Sequence, residues 1–181
     1  MHKNKAFLEL AGKPLIEWSL AVLEEVFAEV LISSNQPEPY ADYGVPIILD
    51  GIPDRGPIEG LYQGLKAATY DEVFFVACDM PFLDAGLIRL LAKWVPEYDI
   101  VIPKLHSGSE AGLHPLHAFY HRRCLSAITR HIEEGNYKVV DLLLSCYVRY
   151  VTEVELYNFH NLSKILSNAN TLEEWKAILK E

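Results

Sequence analysis

The chain has 181 residues, 50% of them apolar, and its 16 basic and 25 acidic side chains give a formal net charge of -9. This length suits one domain with a core large enough to need no disulfide or structural metal. The acidic balance argues against a nucleic-acid or membrane-surface binder, because such proteins need a basic face. A small polyanionic ligand is still compatible with it, since a divalent metal and a few lysines can reverse the field locally.

Cysteine usage and the N-terminal sequence indicate the compartment. The chain has an odd number of cysteines and no CxxC spacing among them, as expected for reduced thiols in a cytosolic protein; they are Cys78, Cys124 and Cys146. The start of the chain has neither the apolar stretch nor the cleavage site of a signal peptide, and no run approaches the length of a membrane span. We therefore expect one cytoplasmic domain over residues 1–181, with no membrane partner.

Helical and strand patterns alternate along the chain. Apolar spacing predicts helices over 14–28 and 57–68, and continuous apolar runs predict buried strands. The predicted strands lie at 30–33, 45–49, 73–77, 98–103, 114–120 and 147–156, and the later helices at 87–95, 122–134, 139–145 and 171–180. This order predicts an α/β fold with a mostly parallel sheet and helices on both faces. Ligands then lie beyond the carboxyl ends of the strands.

Two aspartates follow predicted strands. Asp79 ends the run V-F-F-V-A-C-D, where a carboxylate is suited to bind Mg²⁺ beside substrate phosphates. The alternative, a cap for the next helix, suits Asp84 better. Asp50 closes V-P-I-I-L-D, and there a binding role and an Asx-turn before Gly51 are equally consistent with the sequence.

Two further features are compatible with anion binding. Gly56 and Pro57 open a predicted helix, so bare backbone N–H groups there can face an anionic ligand, although such a turn is also an ordinary helix start. Lys5 can supply a point charge to a phosphate or lie on a solvated surface. His114, His117 and His121 lack the spacing of a zinc site, because strand alternation places the first two on opposite faces.

Seven short segments together resemble the molybdenum cofactor guanylyltransferases. They are K-A-F-L-E-L-A-G-K-P-L-I-E at 5–17, I-S-S-N at 32–35, Asp50, G-P-I-E-G at 56–60, C-D-M-P-F-L at 78–83, H-P-L-H-A-F-Y at 114–120 and N-A-N-T-L-E-E-W at 168–175. Their order and spacing match the family across essentially the whole chain. The resemblance implies a Rossmann-like nucleotidyltransferase that uses Mg²⁺ and moves GMP from GTP onto molybdopterin, releasing pyrophosphate. It also implies transient contact with molybdoenzymes or cofactor chaperones.

The resemblance assigns roles to individual residues. Lys5 matches the lysine that contacts the nucleotide phosphates, and Asp79 matches the aspartate that holds the metal; both are implied to act in catalysis. Asp50, Gly56 and Pro57 match nucleotide-binding positions. On the pterin side the matching substrate-binding residues are His114, Asn168 and Asn170.

The family's opening strand and glycine-rich phosphate loop, L-A-G-G-x-S-R-R-M-G, have no counterpart here, because Met1 falls where the methionine of that motif stands. Since that strand belongs in the middle of the sheet, we expect a hydrophobic seam with unpaired ladder groups. We expect the sequence to begin late, at an internal methionine of a longer reading frame or at the edge of an ordered region. The alternatives are a truncation that binds without catalysing and another segment that replaces the strand, for which the sequence offers no candidate. Two alternative functions remain: another nucleotidyltransferase of the cytidylyl or sugar-phosphate type, and a non-catalytic module that delivers nucleotide or pterin.

Overall fold

Helices and strands alternate along residues 4–52, 55–106 and 112–167, the part of the chain that the computed structural model describes. The helices are α1 Leu15–Val26, α2 Pro57–Ala67, α3 Ala85–Ala92, α4 Leu125–Glu133, α5 Val139–Leu142 and α6 Leu162–Ile165. The strands are β1 Glu9–Leu10, β2 Lys13–Pro14, β3 Ile32–Ser33, β4 Ile47–Ile48, β5 Glu72–Val76, β6 Ile100–Lys104, β7 His117–His121 and β8 Val148–Thr152. None of the helices within these ranges is long and apolar enough to cross a membrane. The helix predicted at 171–180 lies outside them.

The main sheet has four strands in the order β5-β7-β6-β8. β7 runs antiparallel to both neighbours, and Phe119 pairs with Phe74 on one side and Val101 on the other. β6 and β8 are parallel. β5, β6 and β8 therefore share one direction, so the predicted α/β fold with its mostly parallel sheet is confirmed, with β7 making the sheet mixed.

Side chains of the sheet alternate between two apolar layers, because successive residues of a strand point to opposite faces. On one face Val101 and Phe119 pack against Leu87 and Leu91 of α3. On the other face the sheet packs against α2 and α4 through a cluster of fully buried side chains that includes Ile58, Leu61, Leu65, Ile100, Tyr120 and Ile128. Helices thus cover both faces of the sheet, as predicted.

β3 and β4 form a separate parallel pair beside the main sheet. β3 runs in the same direction as β5, because the starts of the two strands lie together and so do their later parts. At the start, Glu29 just before β3 accepts hydrogen bonds of 2.8 Å from both the N–H and the hydroxyl of Thr69, just before β5. At the opposite edge, a Cβ placed on Gly60 would lie 3.2 Å from Ser33 Oγ and 3.6 Å from the Phe75 ring. Both strands therefore begin at one edge of the molecule and end at the other.

A seam separates β3 from β5, and within the described ranges no strand lies in it. A cavity of about 1210 Å³ occupies the seam and is lined by residues of both strands. α1 bridges the seam on one side, where Phe27 stacks on Phe74 of β5 at 5.7 Å while Leu20 packs with Ile32 of β3. α2 bridges it on the other side through Gly60. Helices rather than ladder hydrogen bonds thus join the two sheets.

Several predicted elements are shorter in the structure. β3 and β4 have two residues each, since β3 has a ladder partner on one side only in the described chain. β7 begins at His117, because the His117 N–H donates to the His114 carbonyl at 2.9 Å and closes a turn before the strand. β8 ends at Thr152, where the Glu155 carboxylate accepts the Thr152 N–H at 3.0 Å and closes a turn.

Candidate active site

Asp79 lies just beyond the carboxyl end of β5 and is 7% exposed. Ser19 of α1 fixes the following turn by donating its hydroxyl to the Met80 carbonyl at 3.3 Å. Asp84 caps α3, its Oδ1 accepting the Leu87 N–H at 2.8 Å. The capping role is therefore taken by Asp84, and the Asp79 carboxylate lies on the wall of the cavity.

Lys5 approaches Asp79 from a short helical turn near the start of the described chain. Its Nζ lies 3.5 Å from Asp79 Oδ2. Asn4 fixes this turn: its Oδ1 accepts the Ala6 N–H at 3.2 Å and its Nδ2 donates to the Tyr40 hydroxyl at 2.9 Å. Because Ala6 is fully buried, the backbone on which Lys5 stands is anchored in the core.

Asp50 follows β4 and faces the same cavity from the other sheet. The Ser33 hydroxyl makes a close hydrogen bond to its Oδ1. Gly56 starts α2 with a φ of 63°, a conformation that favours glycine, and Pro57 is the first helical residue. Gly56 and Pro57 line the cavity together with Lys5, Asp50 and Asp79.

Among the predicted pterin-side residues, the structure describes His114 only, and it lies apart from this group. His114 does not line the cavity, and its buried Nε2 has no hydrogen-bond partner in the structure. Burial lowers the pKa of His114. Asn168 and Asn170 lie outside the described residues, so they stay predictions.

Polar side chains that line the cavity outside the predicted set include Ser19, Ser33, Asn35 and Glu59. Glu59 is 2% exposed although it occupies the first turn of α2. The sequence around Glu59 does not predict this burial, since an acidic residue in the first turn of a helix is usually solvated and interacts with the helix dipole. The sequence likewise gives no reason to single out Ser19, because polar residues are ordinary in an amphipathic helix.

The donor set around Asp79 is compatible with a substrate-bound magnesium ion. Among the described residues there is no cluster of three or more His, Cys, Asp or Glu side chains suited to hold a metal alone. Mg²⁺ does not need one, because it keeps several waters and is commonly bound by one or two carboxylates plus substrate phosphates. A single carboxylate on the cavity wall meets that requirement.

A family model described as the MobA-like NTP transferase domain matches residues 1–147. The chain belongs to this family. Among its relatives, a protein of Pelotomaculum thermopropionicum named "Probable molybdenum cofactor guanylyltransferase" is 33% identical over 171 residues, which cover 94% of this chain and 82% of the relative. Membership makes the protein a nucleotidyltransferase, and the names of its relatives connect it with molybdenum cofactor biosynthesis.

Two solved structures have the same fold as this chain. Molybdopterin-guanine dinucleotide biosynthesis protein A from Archaeoglobus fulgidus superimposes with a TM-score of 0.80 at 25% identity, covering 97% of this chain and 89% of that one. 2-C-methyl-D-erythritol 4-phosphate cytidylyltransferase from Thermus thermophilus gives a TM-score of 0.70 at 18% identity, covering 96% and 91%. The second likeness concerns the fold alone, and together they confirm the nucleotidyltransferase fold predicted from the sequence.

Proposed function

We propose that this enzyme transfers the GMP moiety of GTP to the molybdenum-bound molybdopterin cofactor in the cytoplasm and releases pyrophosphate. The observation that carries the proposal is the contact of 3.5 Å between Lys5 Nζ and Asp79 Oδ2, on the wall of a cavity that Asp50 also lines. A lysine on an anchored turn beside a carboxylate at a strand end suits a nucleoside triphosphate with its metal. The relatives' names support the choice of GTP and the cofactor.

The reaction requires positioning more than acid–base chemistry. The terminal phosphate of molybdopterin is already an anion near neutral pH, so its oxygen can attack the α-phosphorus of GTP without a general base. The new P–O bond forms as the bond between the α-phosphorus and the bridging oxygen breaks, and the electron pair leaves with pyrophosphate. Repulsion between the two anions is the main obstacle, and Lys5 opposes it from a fixed position.

Asp79 is the residue we propose to hold Mg²⁺. When bound, the ion would neutralise charge on the triphosphate and the departing pyrophosphate. We propose Asp50 for the nucleoside end, with Gly56 and Pro57 at the helix start beside it, and Asn168 and Asn170 for the pterin side. Hand-over of the product by transient contact with a molybdoenzyme or a cofactor chaperone belongs to the same proposal.

Calorimetric titration with GTP, CTP and UTP in the presence of Mg²⁺ tests the substrate. We expect binding of GTP alone, lost in Asp79→Asn. Asp84→Asn is the matched control, because asparagine caps a helix about as well as aspartate. It should bind GTP like the natural protein. Equal binding of GTP by Asp79→Asn would contradict the proposed role of Asp79.

A cytidylyl transfer is the second candidate, favoured by the fold shared with the Thermus thermophilus cytidylyltransferase. Binding of CTP in preference to GTP would support it and overturn the guanylyl assignment. Pyrophosphate release with GTP and molybdopterin together, and with neither alone, would establish the transfer itself.

A further inference from the structure

The loop that joins β4 to α2 carries Asp50 into the cavity. Asp50 stands at its beginning, and Gly56 starts the helix at its end. On the other side of Asp50, the Ser33 hydroxyl hydrogen-bonds to the Oδ1 atom of the carboxylate. The position of this carboxylate therefore depends on what holds the loop against the helix.

Glu59 contacts both ends of this loop with one carboxylate. Its Oε1 accepts the Gly51 N–H at 3.2 Å, and its Oε2 accepts Arg55 Nη1 at 3.0 Å. Gln63, one turn further along α2, donates its Nε2 to Oε1 at 2.8 Å. Gly51 directly follows Asp50, and Arg55 directly precedes Gly56.

The backbone at Gly51 lies directly on this carboxylate. A Cβ placed on Gly51 would come within 2.7 Å of Glu59 Oε1 and 2.6 Å of Gln63 Nε2. Real Cβ atoms essentially never make contacts that short, so any side chain at position 51 would displace the ends of the Glu59 and Gln63 side chains. Glycine at position 51 and glutamate at position 59 are thus parts of one arrangement.

Every partner of the Glu59 carboxylate is an N–H donor, which suits the ionised form. Burial alone would raise the pKa of Glu59, but the hydrogen bonds from Gln63, Arg55 and the Gly51 N–H outweigh it and lower the pKa. A glutamine at this position would turn an N–H group towards one of these donors. It would leave that donor without an acceptor in a buried site, which is costly.

We propose that Glu59 is a positioning residue that clamps the loop between β4 and α2 at both ends and thereby fixes the Asp50 carboxylate in the cavity. Glu59 acts through Asp50, because its own carboxylate oxygens already accept hydrogen bonds from Gly51, Arg55 and Gln63. Its effect on nucleotide binding rests on the proposed function, whereas its effect on the loop does not.

Amide hydrogen exchange in the protein without nucleotide tests the clamp. We expect Glu59→Gln to accelerate exchange of the Gly51 N–H by about tenfold, as for the loss of one hydrogen bond worth about 1.4 kcal/mol. Glu25→Gln is the matched control, since Glu25 on α1 also pairs with an arginine, Arg89, at 2.7 Å but lies away from the loop. Unchanged exchange at Gly51 in Glu59→Gln would overturn the proposal.

A double-mutant cycle with Asp50→Asn tests whether the clamp acts through Asp50. We expect Glu59→Gln to weaken the binding of GTP with Mg²⁺ about tenfold in the natural background and less than about twofold in the Asp50→Asn background. A tenfold loss in both backgrounds would overturn the route through Asp50, because a merely structural effect is independent of that residue. If the natural protein binds no nucleotide, the proposed function fails, and the exchange experiment still decides the clamp.

Discussion

Lys5 Nζ and Asp79 Oδ2 lie 3.5 Å apart, although 74 positions separate the two residues in the chain and each comes from a different part of the fold. Lys5 stands on a turn anchored by Ala6, and Asp79 follows β5. The lysine side chain is 43% exposed, so water screens the pair and the contact adds little to stability. Its value lies in placing a cation beside a carboxylate at the cavity.

The first prediction separates binding from stability at Lys5. Lys5→Met keeps the length and apolar stem of the side chain and removes its charge. We expect the affinity for GTP with Mg²⁺ to fall by about tenfold, while the free energy of unfolding changes by less than about 1 kcal/mol. Calorimetric titration and urea unfolding measure the two effects.

Lys13→Met is the control for Lys5→Met. Lys13 pairs with Glu17 at 3.9 Å on the surface of α1, and neither residue lines the cavity. We expect its nucleotide affinity to match that of the natural protein. A loss of affinity as large as that of Lys5→Met would show a general charge effect rather than a phosphate contact.

The second prediction contrasts two glycines. Gly112 has a φ of 75°, and a Cβ there would lie 2.0 Å from the Leu105 carbonyl oxygen. Gly112→Ala should therefore lower the free energy of unfolding by about 2 kcal/mol or more, since both strain and overlap oppose it. Gly64 lies inside α2 with no atom within 4 Å of such a Cβ, so Gly64→Ala should raise that free energy by about 1 kcal/mol. Chemical unfolding of both variants measures the difference, and equal effects would contradict the geometry.

The third prediction concerns the pH dependence of stability. Burial, helped by the charge of neighbouring His114, lowers the pKa of His117 from 6.5 to about 3. Between these values the unfolded chain binds a proton at His117 that the folded chain does not, so the free energy of unfolding falls as the pH is lowered. The slope for one such proton is about 1.4 kcal/mol per pH unit.

His117→Phe should reduce the slope of the free energy of unfolding against pH by about 1.4 kcal/mol per pH unit between pH 6 and pH 4, which corresponds to one proton. Urea unfolding over that range measures the slope. Phenylalanine suits the site, because the His117 ring already packs edge-on against Phe74 at 5.0 Å and neither ring nitrogen has a partner in the structure. An unchanged slope in His117→Phe would show that other groups carry the dependence.

The sequence predicts those parts of the site that follow from local pattern. Asp79 could be identified because a run of apolar residues ends at it, and strand ends are where ligands bind in this class of fold. The capping role could be assigned to Asp84 and not to Asp79, because a helix cap has a recognisable position just before the apolar residues of a predicted helix. The buried strands of the sheet follow similarly from continuous apolar runs, since β6 and β7 each have four successive buried residues.

The other parts of the site and of the fold depend on contacts that no local sequence pattern encodes. Glu59 is buried because the Gly51 backbone, eight positions earlier, folds back onto it. His114 leaves the strand pattern because its carbonyl accepts the His117 N–H in a turn, which moves the start of β7 by three residues. Such long-range and turn-specific hydrogen bonds decide placement only when the chain is already folded.

The seam between β3 and β5 has a dynamic consequence. Asp50 follows one sheet and Asp79 the other, and within the described ranges the two sheets share no ladder hydrogen bond. Side-chain packing on α1 and α2, with the hydrogen bonds from Thr69 to Glu29, sets their separation, and such contacts yield to small sliding movements more readily than a hydrogen-bonded ladder does. A ligand that contacts both aspartates would therefore join the two sheets, and its binding should slow amide exchange in both at once.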